Sequence, residues 1–214
     1  MINRKVIIIG GGGHAKALAD ILKQQKINIF AISSPKVDKN SVLLGGLKQF
    51  LNDSDIYQFS QKQIWLVNGI GSIPGNSLRA EIFQKFRKDG YEFLTIISAS
   101  SIVSDYCRIG RGVQIMPGAI INVDAVIGDN TIVNTGALVE HDCILGENNH
   151  IAPGAVICGG STTKANVHVG AGASVIQGIK IGENSIIGAG TSVVRNLVKD
   201  SVCTPAAITK RLPI

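Results

Sequence analysis

The sequence predicts two parts: an α/β unit of Rossmann-like type over residues 1–98, then an all-β parallel coil over residues 99–214. Three observations predict it. A strict six-residue period of aliphatic side chains runs through the second half, and a residue tolerant of left-handed backbone recurs at a fixed offset from each of them. The third is a glycine-rich strand-to-helix junction near the start of the chain.

Stepping by six from Val103 meets Ile109, Ile115, Ile121, Ile127, Val133, Val139, Leu145, Ile151, Ile157, Thr163, Val169, Val175, Ile181, Ile187 and Val193, and fifteen of these sixteen are aliphatic. A helix repeats every 3.6 residues and a strand every two, so neither sustains a six-residue clock. Three residues after each aliphatic, from Gly112 to Asn196, stands Gly, Asn or Asp in fifteen of fifteen cases. These residues best tolerate positive φ. Each hexad is therefore a short strand with one inward aliphatic, closed by a tight turn. The residue after the turn is mostly small, as at Ala119, Ala125, Ala137, Ala155, Ser161, Ala173 and Ser185, which suits a narrow corner. Turn glycines recur every eighteen residues (Gly118, Gly136, Gly154, Gly172, Gly190), as do turn asparagines (Asn130, Asn148, Asn166, Asn184). Three faces per coil follow, a triangular prism in which residues n and n+18 stack one coil apart.

At the start, Lys5 to Ile9 reads as a strand that runs into Gly10-Gly-Gly-Gly-His14, and Ala15 to Lys26 has helical spacing. Glycines there let the backbone approach a phosphate at a helix N-terminus. The third glycine of a dinucleotide fingerprint is replaced by Ala15, and no acidic residue ends the second strand, Ile27 to Ile32, so NAD is not expected. A further strand, Ile64 to Val67, leads into Asn68-Gly-Ile-Gly-Ser72, followed by a helix over Ser77 to Lys88 that carries Arg79.

Composition narrows the function classes. With 45% hydrophobic residues the chain buries a core, and the run Val6–Ile9 is too short to span a bilayer or to form a signal peptide. A cytoplasmic protein without a membrane partner is expected. Four cysteines without a C-x-x-C pair argue for reduced thiols. The net charge of +6 comes from scattered Lys and Arg with 5% aromatics, a pattern that suits a phosphorylated small ligand and not nucleic acid.

The hexads resemble the hexapeptide-repeat acyltransferases, whose fold is a left-handed parallel β-helix and which usually form trimers. The two-part plan, with Gly13-His14, the Gly69-Ile-Gly-Ser72 loop with Arg79, and Asn134 to Asp142 with His150 and Gly159 beyond, resembles one branch of them. That branch is the N-acetyltransferases of nucleotide-linked 4-amino-4,6-dideoxy sugars, with the sialic acid O-acetyltransferases close by. The resemblance implies acetyl-CoA as cosubstrate, no metal, and a nucleotide-linked amino sugar as acceptor, of which a bacillosamine-type UDP-sugar is the expected case. It implies N-terminal loops that hold the nucleotide: Gly12, Gly13, His14, Gly71, Ser72 and Arg79, with Ser33 and Ser34 where members carry paired aspartates.

Acetyl transfer to an amine needs a base, a donor to the thioester oxygen and close positioning. His141 is the best base in the sequence, placed at a turn that points it outward, and Asp142 is placed to orient the ring or, alternatively, only to fill the turn. Gly159, at plus eighteen, is expected one coil above, with its N–H available to the thioester oxygen. His150 lies nine residues from His141, on another face, so the two share a site only between subunits of a homotrimer. His150 also stacks under His168, and a ladder without chemistry is its alternative. Asn134 matches a family residue near the reaction centre. Acetyl-CoA is expected along the later coils past Gly172, Gly178 and Gly190, with Lys210 toward its phosphates. Competing readings are a sialic acid or other sugar O-acetyltransferase, a zinc enzyme of carbonic anhydrase type on the same prism, and a nucleotide-binding or purely structural scaffold.

Overall fold

The computed structural model describes residues 4–205. Its first part is a four-stranded parallel sheet in the order β3-β2-β1-β4, with β1 Lys5–Ile9, β2 Ile29–Ser33, β3 Lys48–Phe50 and β4 Ile64–Asn68. Helix α1 (Gly13–Gln24) links β1 to β2, and α2 (Leu78–Lys88) follows β4. β3 and the 3-10 segment Asp53–Gln58 carry no clear periodicity, and both lay outside the sequence expectation. Among the described residues no helix is long and apolar enough to cross a membrane.

The second part is the left-handed parallel β-helix, built as parallel sheets of five, seven and six two-residue strands. Partners stand eighteen residues apart, as in Val133↔Ile151↔Val169↔Ile187, and the hexad aliphatics from Ile115 onward are sealed in one core. The corner residues Ala119, Ala125, Ala137, Ala155, Ser161, Ala173 and Ser185 are fully buried, and positive φ occurs at fourteen of the fifteen expected turn positions. The coil starts one hexad before Val103: Ile96–Ile97 (β5) pairs with Gln114–Ile115 in the seven-stranded sheet.

Two departures from the period have physical causes. Asn196 does not adopt the expected positive φ; its side chain accepts a hydrogen bond from the Lys180 N–H instead, and the last coil shortens so that Ile186 pairs with Val202, sixteen residues on. Thr163, the one non-aliphatic member of the series, accepts a hydrogen bond from Asn149 Nδ2 at 2.5 Å. The Asn149 side-chain oxygen in turn accepts from the Val167 N–H, and the Asn149 backbone N–H donates to Thr131 Oγ1. Asn149 occupies a corner slot that is usually Ala, and together with Thr131 and the Val167 N–H it satisfies the polar groups that Thr163 brings into the core.

Helix α1 joins the two parts. Leu18, Ala19, Ile21 and Leu22 pack on β1 and β2 and also against Met116 and Ile132 on the outside of the seven-stranded sheet. Arg79 fastens the other edge: its buried guanidinium donates to the carbonyls of Asn68 (2.9 Å) and Ile70 (2.7 Å), and to Asn130 of the prism (3.1 Å). Burial pulls this guanidinium down to about 9, still protonated at neutral pH.

Candidate active site

His141 follows Val139 of the six-stranded sheet and sits first in the corner that turns at Asp142, whose φ is +60°. That corner throws the imidazole outward, and its side chain is 58% exposed. Asp142 keeps the turn and also reaches the ring: His141 Nδ1 lies 2.7 Å from Asp142 Oδ2. This hydrogen bond raises the His141 pKa above its ordinary value; desolvation opposes it, and the Asp142 and then the Glu140 charges add to the rise. Glu140 is itself held by Asn122 Nδ2 at 2.9 Å.

Gly159 stands one coil above, as the eighteen-residue rule requires: the Gly160 N–H donates to the His141 carbonyl. A Cβ built on Gly159 meets His141 Cε1 at 2.7 Å and Nε2 at 2.8 Å, so the ring in this position rests where only glycine leaves room. In the turn Cys158–Ser161, closed by the Ser161 N–H on the Cys158 carbonyl at 3.3 Å, the N–H of the second residue takes no part, and the Gly159 N–H makes no hydrogen bond among the described residues.

A second cluster forms where the parts meet. His14, in the first turn of α1, places Nε2 2.7 Å from Gln114 Oε1 of the prism. His150, 8% exposed, accepts at Nε2 from Asn134 Nδ2 at 3.0 Å, and that amide is oriented because its oxygen accepts the Thr135 N–H at 2.8 Å. His150 and His168 pack edge to face at 4.8 Å, so the histidine ladder exists, and each leaves a buried Nδ1 without a hydrogen-bond partner. Burial, with Arg79 nearby, lowers His14 to about 4; burial and then the neighbours His168, His14 and Arg79 lower His150 to about 3, against a raising contact from the Ser72 backbone. Both rings are therefore neutral at physiological pH.

Beside this cluster, a cleft of about 430 Å³ opens between the Ser72–Ser77 loop with α2 and the prism residues Asn148, Asn166 and His168. Gly12 and Gly13 are exposed at the start of α1, with nothing within 4 Å of a built Cβ, and Gly71 lies against His14. No acidic residue occupies the first turn of that helix, so its N–H groups remain attractive to an anion.

Ser33 is fully buried and donates to Asp53 Oδ1 at 2.5 Å, while Ser34 donates to the Lys36 carbonyl at 2.8 Å, so both hydroxyls are committed inside the protein. Arg79 likewise spends its guanidinium on backbone carbonyls. Gly172, Gly178 and Gly190 turn at positive φ along the outer coils with open space around them. Lys210 lies outside the described residues. Among the described residues no three His, Cys, Asp or Glu side chains converge as a metal site.

Sequence reasoning missed Asp53, Gln114 and Asn122. Gln114 stands on the outward position of its strand, where polarity is ordinary, so nothing in the period singles it out.

Residues 5–86 match the PglD N-terminal domain and residues 124–159 the bacterial transferase hexapeptide (six repeats) family. Among solved structures, a histidine-to-alanine variant of GDP-perosamine N-acetyl transferase from Caulobacter crescentus, in complex with CoA and GDP-perosamine, is 35% identical over 94% of this chain and 93% of its own, with a TM-score of 0.82. The chain belongs to the hexapeptide-repeat sugar acetyltransferases. The acetyltransferase domain of PglB from Neisseria gonorrhoeae superposes with a TM-score of 0.83 at 25% identity, over 94% of this acetyltransferase and 97% of the domain. WeeI from Acinetobacter baumannii AYE, 18% identical over 93% and 95%, shares the fold with a TM-score of 0.70. Comparison with curated protein sequences gives no match.

Proposed function

We propose that this acetyltransferase moves the acetyl group of acetyl-CoA onto the 4-amino group of a nucleotide-linked 4-amino-4,6-dideoxy sugar. The observation that carries the chemistry is the stack of Asp142, His141 and Gly159 on one outward edge. Asp142 accepts the Nδ1–H of His141, which leaves the Nε2 lone pair as the base. The amine nitrogen attacks the thioester carbonyl, its proton passes to Nε2, and the Gly159 N–H stabilises the oxyanion. Collapse breaks the C–S bond, and the proton on His141 leaves with the CoA thiolate. The open glycine turns at Gly172, Gly178 and Gly190 give acetyl-CoA a path along the coils. The anion-attracting start of α1, with Gly12, Gly13, Gly71 and Ser72, suits the diphosphate.

A GDP-linked sugar of the perosamine type is supported by the 35% identical Caulobacter enzyme. The bacillosamine-type UDP-sugar rests on the sequence resemblance alone and is the second candidate. Turnover of GDP-, UDP- and dTDP-linked 4-amino sugars and of sialic acid, followed by thiol release, decides between amine and hydroxyl acceptors and among nucleotides. His141→Ala should abolish transfer while nucleotide binding persists; near wild-type transfer in that variant overturns the assignment.

The active site is proposed to lie between subunits of a homotrimer. His141 leaves the six-stranded sheet at a corner, whereas His150 lies on the seven-stranded sheet beneath the N-terminal part. The outer face of the six-stranded sheet offers Ile102, Ile120, Leu138 and Val156 in register, an apolar ladder suited to burial against another copy. Equal mixing of His141→Ala and His150→Gln chains, refolded together, should restore about one quarter of the sites, since each needs an intact His141 from one chain and an intact His150 from its neighbour. No recovery would place the site within one chain. A cytoplasmic setting fits the acetyl-CoA requirement and the free thiols Cys107, Cys143, Cys158 and Cys203.

A further inference from the structure

We propose that Gln114 is a positioning residue: it locks His14 in the Nε2–H tautomer, so that the His14 Nδ1 lone pair accepts a hydrogen bond from a hydroxyl or amino group of the acceptor sugar. The inference rests on the nucleotide-sugar reading above for the identity of the ligand, but not for the tautomer.

The tautomer follows from a chain of one-way contacts. Gln114 is fully buried, and its Nε2 donates to the Asn68 carbonyl at 2.8 Å. A backbone carbonyl only accepts, so this contact fixes which end of the amide carries hydrogens. The other end, Oε1, then faces His14 Nε2 at 2.7 Å. An oxygen acceptor at that distance requires a hydrogen on the ring nitrogen, so Nε2 is protonated. Asn68 is held in turn, its Nδ2 donating to the Arg79 carbonyl at 2.9 Å and to Asn130 Oδ1 at 3.2 Å. The chain of contacts therefore runs from the prism, through β4, to the glycine-rich loop.

His14 Nδ1 is left as an acceptor with no hydrogen bond among the described residues, beside the open Gly12 and Gly13. Burial and the Arg79 charge keep the ring neutral, since its pKa falls to about 4. A neutral acceptor nitrogen repels phosphate oxygens, which are acceptors too, and attracts O–H or N–H. The glycine loop and the helix N-terminus serve the diphosphate; His14 serves the sugar. The arrangement makes the docking of the two parts a condition for reading the sugar, because the residue that sets His14 belongs to the prism.

The test is long-range ¹H–¹⁵N correlation on the whole protein labelled with ¹⁵N-histidine, with the His14 signals identified by their loss in His14→Gln. Wild type should show a protonated Nε2 and an unprotonated Nδ1 from pH 6 to 8. Gln114→Leu should give mixed tautomers. A protonated Nδ1 in wild type overturns the proposal, and this measurement decides even if Gln114→Leu does not fold. An unchanged tautomer in folded Gln114→Leu overturns it as well. Calorimetry with GDP, UDP, GDP-perosamine and a UDP-linked 4-amino sugar supplies the second arm. Gln114→Leu should weaken the sugar-linked ligands about 2- to 12-fold, the loss of one neutral hydrogen bond, and leave the free nucleotides within about twofold. Equal weakening of both kinds, or no binding of any, overturns the sugar contact. Absence of acetyl transfer to every nucleotide sugar sinks the functional reading instead and leaves the tautomer result standing.

Discussion

His141 Nδ1 and Asp142 Oδ2 are 2.7 Å apart, although the two residues are sequence neighbours and Asp142 is at the same time the left-handed turn residue of its hexad. One residue thus closes the corner and orients the base. Asp142→Asn keeps a residue that tolerates positive φ, so the coil should fold normally, and it removes the carboxylate. His141 activity requires the neutral ring, and Asp142 raises its pKa, so the acid limb of the kcat/KM profile lies above the ordinary histidine range. In Asp142→Asn that limb should move to lower pH, while the plateau falls by on the order of 10²-fold because the tautomer is no longer imposed. A pH–rate profile of both proteins checks this, and an unmoved limb counts against the pairing.

Gly159→Ala tests the other side of the base. Its φ is outside the left-handed region, so alanine meets no backbone strain; the three atoms nearest the added Cβ all belong to the His141 ring. That ring is exposed and free to swing away, so thermal stability should change little. Transfer should fall by roughly 10²- to 10³-fold as base and oxyanion donor lose register, read as kcat with an unchanged melting temperature.

How much of this was legible in the sequence depended on whether a residue obeyed the six-residue rule. His141 and Gly159 are eighteen apart, so their stacking could be read by counting, as could His150 beneath His168. Thr163 stood out as an exception, but its partner Asn149 did not, because an asparagine beside a turn is unremarkable. The N-terminal part has no such clock. Its glycine loop and two helices were readable from local pattern, while β3, the Asp53–Gln58 segment and the burial of Ser33 against Asp53 depend on tertiary packing. Arg79 stands out in the sequence by its loop position, while the carbonyls that its guanidinium bonds across the joint between the two parts depend on the tertiary fold. Gln114 was invisible, since its meaning comes from a helix one hundred residues earlier.

Arg79→Met should loosen that joint. Replacing the guanidinium with an apolar chain of similar length leaves the carbonyls of Asn68, Ile70 and Asn130 without it in a buried site. A loss of about 2–4 kcal/mol in folding stability is expected by denaturant titration. Arg79→Lys should fall between, because an ammonium lacks the planar fork that bonds three carbonyls at once. A change in sugar-nucleotide affinity with wild-type stability would instead return Arg79 to the ligand.

The buried histidines set the response to acid. His14 and His150 hold folded pKa values of about 4 and about 3, both below the ordinary 6.5, so the unfolded chain binds protons that the folded chain refuses. Stability from these groups is complete above about pH 6.5 and is lost as pH falls from there toward 4 and then 3, at up to about 1.4 kcal/mol per pH unit for each group. His150→Gln preserves an acceptor for Asn134 Nδ2 and removes one titrating ring, so its melting temperature should decline less steeply between pH 6.5 and 4 than that of wild type. Parallel curves would mean that His150 takes up its proton at the same pH folded as unfolded, against the burial of its ring beside His168.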